Sequence, residues 1–188
     1  MHDLAPLTPL GSAKPERIKI GAVTISENPA LGLASVAARL GHEAAVTKTL
    51  HGLLGAAPPA PSKATLNEPM SAVWIGPNQW LIIAPFETHE DLASTLAIKL
   101  AGTASVTEQS DGWATFDLSG PTVVELLERL CAAPARRMSH GDAQRSVIHH
   151  MGCFVICEKE QHRFRVMGPR SSAGSLHHAV LTAAHAVS

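Results

Sequence analysis

The stretch Ser71–Phe86, SAVWIGPNQWLIIAPF, decides the fold, because it sets two of the chain's three tryptophans, Trp74 and Trp80, in short apolar runs pinched by Gly76-Pro77-Asn78. Runs of this length around turn residues read as a half-buried or fully buried hairpin rather than a helix. It is a scaffold signature and carries no active-site pattern. A weaker echo returns in Arg163–Ser175, RFRVMGPRSSAGS, where an alternating strand runs into Gly168-Pro169 and opens into an apolar helix. The chain therefore reads as two copies of one unit.

Before the hairpin, residues 1–15 carry three prolines without periodicity and are expected to be an extended arm whose order depends on a partner. Arg17–Ser26 alternates as a strand, and Gly32–Arg39 is either a second strand or a short helix. Gly41–Leu54 has Val46, Leu50, Leu53 and Leu54 at helical spacing, ends at Gly55, and gives way to a loop with Pro58, Pro59 and Pro61. After the hairpin, Glu87–Leu100 places Leu92, Leu96 and Leu100 on one helical face. Ser105–Asp111 and Gly112–Ser119 read as strands, and Ser119-Gly120-Pro121 turns into a helix with its stripe at Val123, Leu126, Leu127 and Leu130. Ala143–His150, Gly152–Glu160 and Arg163–Gly168 then form a meander closed by a helix over Ser171–Val187. The expected class is α+β: two similar lobes, about 16–102 and 103–188, of antiparallel sheet with helices on one face.

With 188 residues and 45% hydrophobic content the chain can bury one sizeable core or two small ones. A net charge of -1, from 15 basic and 16 acidic residues, lacks the footprint that phosphate-backbone binding requires, so nucleic acid is not an expected partner. Charged residues make up only 16%, which points to surface covered by other chains. Three irregularly spaced cysteines argue against a disulfide framework and suit a reducing compartment, the cytoplasm by default. No leader pattern opens the sequence and no apolar run approaches the roughly 20 residues of a membrane span.

Among the 11 histidines, His149-His150 precede Cys153 and Cys157, with His162 further on. A soft-metal site is one reading. On strands, however, adjacent His149 and His150 point to opposite faces and no second cysteine pair completes a tetrahedron, which favours buried cysteines. His177-His178 lie on the last helix, where one of the two can face inward. Cys131, at the end of an apolar helix, reads as packing, and no nucleophile elbow or phosphate-binding glycine loop occurs. Arg170 beside Ser171 and Ser172 suits an anion at a helix N-terminus, although a serine cap explains the same residues. Glu108, Asp111 and Asp117 could orient a cationic group, with turn and strand-end roles as the commoner explanation.

WIGPNQWLIIAP, SVTEQSDGWATFDLSGPTVVELLERLC and FRVMGPRSSAGSLHHAVL, in that order, resemble the gamma subunit of heterotetrameric sarcosine oxidase. The residues that carry the resemblance are Trp74, Gly76, Pro77, Trp80, Leu81, Ser110, Asp111, Leu118, Ser119, Gly120, Pro121, Leu126, Leu127, Arg170, Ser171 and Ala173, across about Ala72–Ala184. It departs at Glu108, where an aspartate is usual, and at Ala133-Pro134-Ala135. The resemblance implies a two-lobed fold similar to the N-terminal folate-binding part of glycine-cleavage aminomethyltransferases, and a complex that oxidatively demethylates sarcosine. It implies alpha, beta and delta partner subunits holding FAD, covalent FMN, NAD, tetrahydrofolate and zinc, with no catalytic, cofactor or metal residue in this chain. Trp74, Gly76, Pro77, Trp80, Gly120, Pro121, Arg170 and Ser171 are then scaffold or interface residues, with core the expected place for both tryptophans. A free-standing folate-binding one-carbon transferase, using Asp111 or Asp117, and a small-ligand module of the same fold are the alternatives. For an iron–sulfur assembly module the Lys-Gly-Cys motif is missing, since Cys153 follows Met151-Gly152.

Overall fold

A computed structural model describes residues 6–188. The elements run β1 (Arg17–Ile20), β2 (Val23–Glu27), β3 (Leu31–Ala38), α1 (Glu43–Leu54), β4 (Ala64–Thr65), β5 (Ser71–Gly76), β6 (Gln79–Pro85), α2 (Leu92–Lys99) and β7 (Ala104–Glu108). They continue with β8 (Trp113–Ser119), α3 (Val123–Leu130), β9 (Ala143–Ile148), β10 (Met151–Lys159), β11 (Arg163–Pro169) and α4 (Ala173–His185). Gly32–Arg39, which left strand and helix open, is strand.

Two antiparallel sheets result, one ordered β1-β2-β8-β11-β10-β9 and the other β4-β5-β6-β3-β7. In the first, Phe116, Leu118, Phe164, Val166, Val155, Cys153 and Cys157 form a buried core with Leu126 and Leu127 of α3 and Leu176 and Val180 of α4. In the second, Ala34, Val36, Trp80, Ile82 and Ala84 do the same with Val46 and Leu50 of α1 and Leu92 and Leu96 of α2. Each fully buried aromatic or aliphatic side chain contributes roughly 1.5–3 kcal/mol, which makes these faces the main source of stability.

The sheets are built on one pattern. Val36 lies opposite Trp80 and Ala34 opposite Ile82, as Leu118 lies opposite Phe164 and Phe116 opposite Val166. Both hairpins slip register at matching places, between Trp74 and Gly76 and between Cys157 and Lys159. The first strand of each half, however, is exchanged. Glu27 of β2 pairs with Phe116 of β8, while Glu108 of β7 pairs with Ala34 of β3. The compact units are accordingly, among the described residues, 6–29, 112–140 and 144–188, against 30–111 and 141–143. The lobes expected at 16–102 and 103–188 describe the repeats of the chain but not its folded bodies. VTISE in β2 and ASVTE in β7 have the same length and alternation, so nothing in their patterning fixes which sheet takes which strand.

Smaller departures have local causes. A single 3-10 turn at Phe86–Thr88 precedes α2, so that helix begins at Leu92 rather than Glu87, with the expected stripe Leu92, Leu96 and Leu100 buried. β9 stops at Ile148 because His149 and His150 form the hairpin turn at φ 47° and 69°, the left-handed region usually left to Asn-Gly. The proline-bearing arm, as far as it is described, is tied to its own unit. Buried Glu27 accepts the N–H groups of Leu10 (2.9 Å) and Glu16 (3.1 Å), and Arg170 Nη2 donates to the Leu7 carbonyl (3.0 Å). Residues 1–5 of the expected arm lie outside the described residues.

Candidate functional site

Alternation in β11 sends Phe164 and Val166 toward the helices and Arg163 and Arg165 to the opposite face of the six-stranded sheet. Two rungs cross that face at one end. Arg17, Ser26, Asp117 and Arg165 lie in one, and Lys19, Thr24, Ser119, Arg163 and Lys159 in the next. Arg165 anchors the group: its Nε donates to Asp117 Oδ1 at 2.7 Å and its Nη2 to Glu158 Oε1 at 2.8 Å. Glu158 Oε2 also receives Arg163 Nε at 2.6 Å, and Asn28 Nδ2 donates to Asp117 Oδ2 at 2.8 Å.

Side-chain exposure of 13% for Arg165, 18% for Asp117 and 15% for Glu158 puts these charges where pairing is obligatory. Burial works against the Arg165 charge, but the Asp117 hydrogen bond and the Asp117 and Glu158 charges outweigh it, and the guanidinium is held protonated above its ordinary pKa. A permanently charged arginine is a binding and positioning group rather than a proton donor. Beside this cluster lies a hollow of about 550 Å³ lined by Arg17, Ser26, Asp117, Ser119, Lys159, His162 and Arg163. Among the described residues no carboxylate pairs with Arg17, Lys19 or Lys159.

The residues singled out in the sequence are spread over other places. Trp80 is buried and donates its Nε1–H to the Pro59 carbonyl at 3.0 Å, fastening the proline-rich loop. Trp74, opposite it, is only half-buried, against the expectation of core for both. Gly76 is buried and Pro77 is exposed in the turn. Gly120, at φ 138°, donates its N–H to His162 O, and a Cβ there would stand 2.0 Å from the Ala22 carbonyl oxygen, so the turn into α3 admits glycine alone. Pro121 is exposed beside it. Arg170 holds the Leu7 carbonyl. Ser172 occupies the α4 N-cap position without a side-chain capping bond, and Ser171 is exposed, so the serine cap expected there is not formed. A 3-10 turn over Arg170–Ser172 leads the chain into the helix instead.

His149 and His150 are exposed at a hairpin tip, 5.8 Å apart between ring centroids, whereas Cys153 and Cys157 are fully buried on the helix side. The four do not converge, and among the described residues no three His, Cys, Asp or Glu side chains are grouped to hold a metal. Desolvation pushes the Cys153 thiol up to about 11, with the nearby Cys131 adding to the rise. Cys157 Sγ reaches the Met138 carbonyl. Of the last-helix pair, His177 faces inward, stacked on Phe116 at 5.4 Å, and His178 is exposed. Glu108 accepts the Ser110 N–H at a 3-10 turn that also contains Asp111. Asp117 alone of the three acids belongs to the charged cluster. Sequence reading missed Asn28, Arg165, Glu158 and the basic flank of Arg17, Lys19 and Lys159; the charge alternation of Arg163-Phe164-Arg165-Val166 was the signal that could have found it.

Among the described residues no helix is long and apolar enough to cross a membrane. No protein-family profile and no curated protein matches the sequence. Solved structures do. A chain of the heterotetrameric sarcosine oxidase of Corynebacterium sp. U-96, in complex with pyrrole 2-carboxylate, aligns with a TM-score of 0.76 and 20% identity over 90% of this chain and 87% of that one. The glycine cleavage system aminomethyltransferase T of Bartonella henselae aligns with a TM-score of 0.64 and 12% identity over 86% of this chain. This chain spans only 46% of the aminomethyltransferase. The two-sheet α+β architecture is thus one found whole in a chain of a sarcosine oxidase and as about half of an aminomethyltransferase.

Proposed function

We propose that this protein is the gamma subunit of a heterotetrameric, flavin-dependent sarcosine oxidase, a structural subunit that works by packing against larger partners. The observation that carries this reading is the near end-to-end match, in both chains, to a chain of such an oxidase. The sequence motifs around Trp74–Leu81, Leu118–Pro121 and Arg170–Ala173 point the same way. In this reading alpha, beta and delta subunits hold FAD, covalent FMN, NAD, tetrahydrofolate and zinc. The assembly oxidises sarcosine to glycine, with methylene-tetrahydrofolate and hydrogen peroxide as co-products. The compartment is the cytoplasm.

The aminomethyltransferase match supports a second reading, a free-standing folate-binding one-carbon transferase. It is weaker, since Asp117, one of its two acid candidates, is already bound by Arg165 and Asn28.

The deciding experiment is a tagged pull-down from native cells with a flavin spectrum and a sarcosine-dependent peroxide assay. A yellow, active assembly with larger chains is the expected result. A colourless single chain that binds tetrahydrofolate tightly would replace the first reading with the second.

A further inference from the structure

The repeated framework provides an internal control for the charged cluster. Asp117, Arg165, Arg163, Glu158 and Lys159 occupy the positions that Ser35, Leu81, Gln79, Ile75 and Gly76 occupy in the other sheet. The same strands, pairings and register slip therefore form there without any of these charges. The cluster is not a requirement of the fold, and a buried ion-pair network is seldom a net source of stability.

We propose that the hollow beside it is a binding site for a small ligand carrying at least two anionic groups, carboxylate or phosphate. Asp117, the one carboxylate among the described residues lining the hollow, is engaged by Arg165 and Asn28, and Glu158 is engaged by Arg163 and Arg165. The cations are in excess. Arg17 and Lys159 line the hollow without an acidic partner among the described residues, and Glu158 engages Arg163 through Nε at 2.6 Å. Ser26 and Ser119 add hydroxyl donors on the floor.

The spacing selects the ligand. Arg17 on β1 and Arg163 on β11 are three strand spacings and one rung apart, roughly 16 Å at the backbone. A single small ion meets one flank only, whereas a ligand with two separated anionic groups meets both. Arginine forks and a lysine point charge recognise carboxylate and phosphate alike.

The test is calorimetric titration of the full-length protein with inorganic tripolyphosphate and, separately, with citrate, each at two salt concentrations. Saturable binding that weakens with salt is expected. The double variant Arg17→Ala/Lys159→Ala should weaken it by about tenfold or more, and Lys48→Ala on α1 should leave it unchanged. Arg163→Gln, which installs the residue of the equivalent position, is the second variant and should weaken binding while the fold is retained. Binding of one probe alone assigns the site to phosphates or to carboxylates. Failure of both probes to bind, or binding untouched by the double variant, overturns the proposal. The measurement uses this chain alone, so its outcome is independent of the subunit reading.

Discussion

At Gly120 a left-handed backbone and a carbonyl 2.0 Å from any Cβ coincide. Gly120→Ala is therefore expected to destabilise the protein by several kcal/mol, on the order of 3 or more, measured by urea unfolding. A loss below about 1 kcal/mol would mean that the turn relaxes freely. Cys153 gives a pH-dependent effect. Its folded pKa of about 11 stands above the ordinary value of 9.0, so the folded state keeps its proton where the unfolded chain releases it. Stability from this group is complete below about pH 9 and is lost as pH rises toward 11, by roughly 2–3 kcal/mol. Cys153→Ala should flatten that part of the stability profile relative to wild type; an unchanged slope would assign it to other groups. Legibility at this scale was mixed. Gly120-Pro121 announced a helix start by chemistry that only those residues have. His149-His150 gave no turn signal, because their left-handed conformation is imposed by the strands on either side.

Among the elements, the tryptophan hairpin was legible from turn residues and apolar runs, and both strands formed where expected. Its two tryptophans were not distinguishable in sequence. Trp80 reaches the helices and the Pro59 carbonyl, while Trp74 stops half-buried. Trp80→Ala should cost about 3–5 kcal/mol and open the loop before Lys63 to trypsin, whereas Trp74→Ala should cost distinctly less. Equal losses in thermal unfolding would contradict the core assignment. Helix α2 shows the limit of periodicity: the stripe was right, but the first turn went to a 3-10 segment that three leucines at four-residue spacing do not encode. The charged cluster was the least legible feature, since its members come from β1, β8, β10, β11 and the residue after β2, and meet only through pairing.

For the molecule as a whole, the order of elements and the presence of two repeats could be read from patterning, but the exchange of first strands could not. β2 and β7 carry interchangeable alternation, so the choice of sheet becomes visible only in the long-range pairing of β2 with β8 and of β7 with β3. It follows that residues 1–102 and 103–188, although each is a full repeat, should be unfolded when produced singly and recover native circular dichroism when mixed. Independent folding of either half would show that the exchange is dispensable.

The exchange also imposes a timetable on synthesis. A ribosome delivers β1 and β2 first, yet their neighbour β8 emerges only after Trp113 has been added. Meanwhile β3 to β7 can close into their own sheet. The earliest strands to be made thus wait, edges unpaired, through nearly a hundred further residues of elongation, and at roughly 5–20 residues per second that wait lasts on the order of 5–20 seconds. The nascent chain carries its first hairpin as a bare template for wrong pairing throughout that interval, so chaperone dependence during translation, rather than the stability of the finished fold, becomes the measure of what the exchanged strands cost the cell.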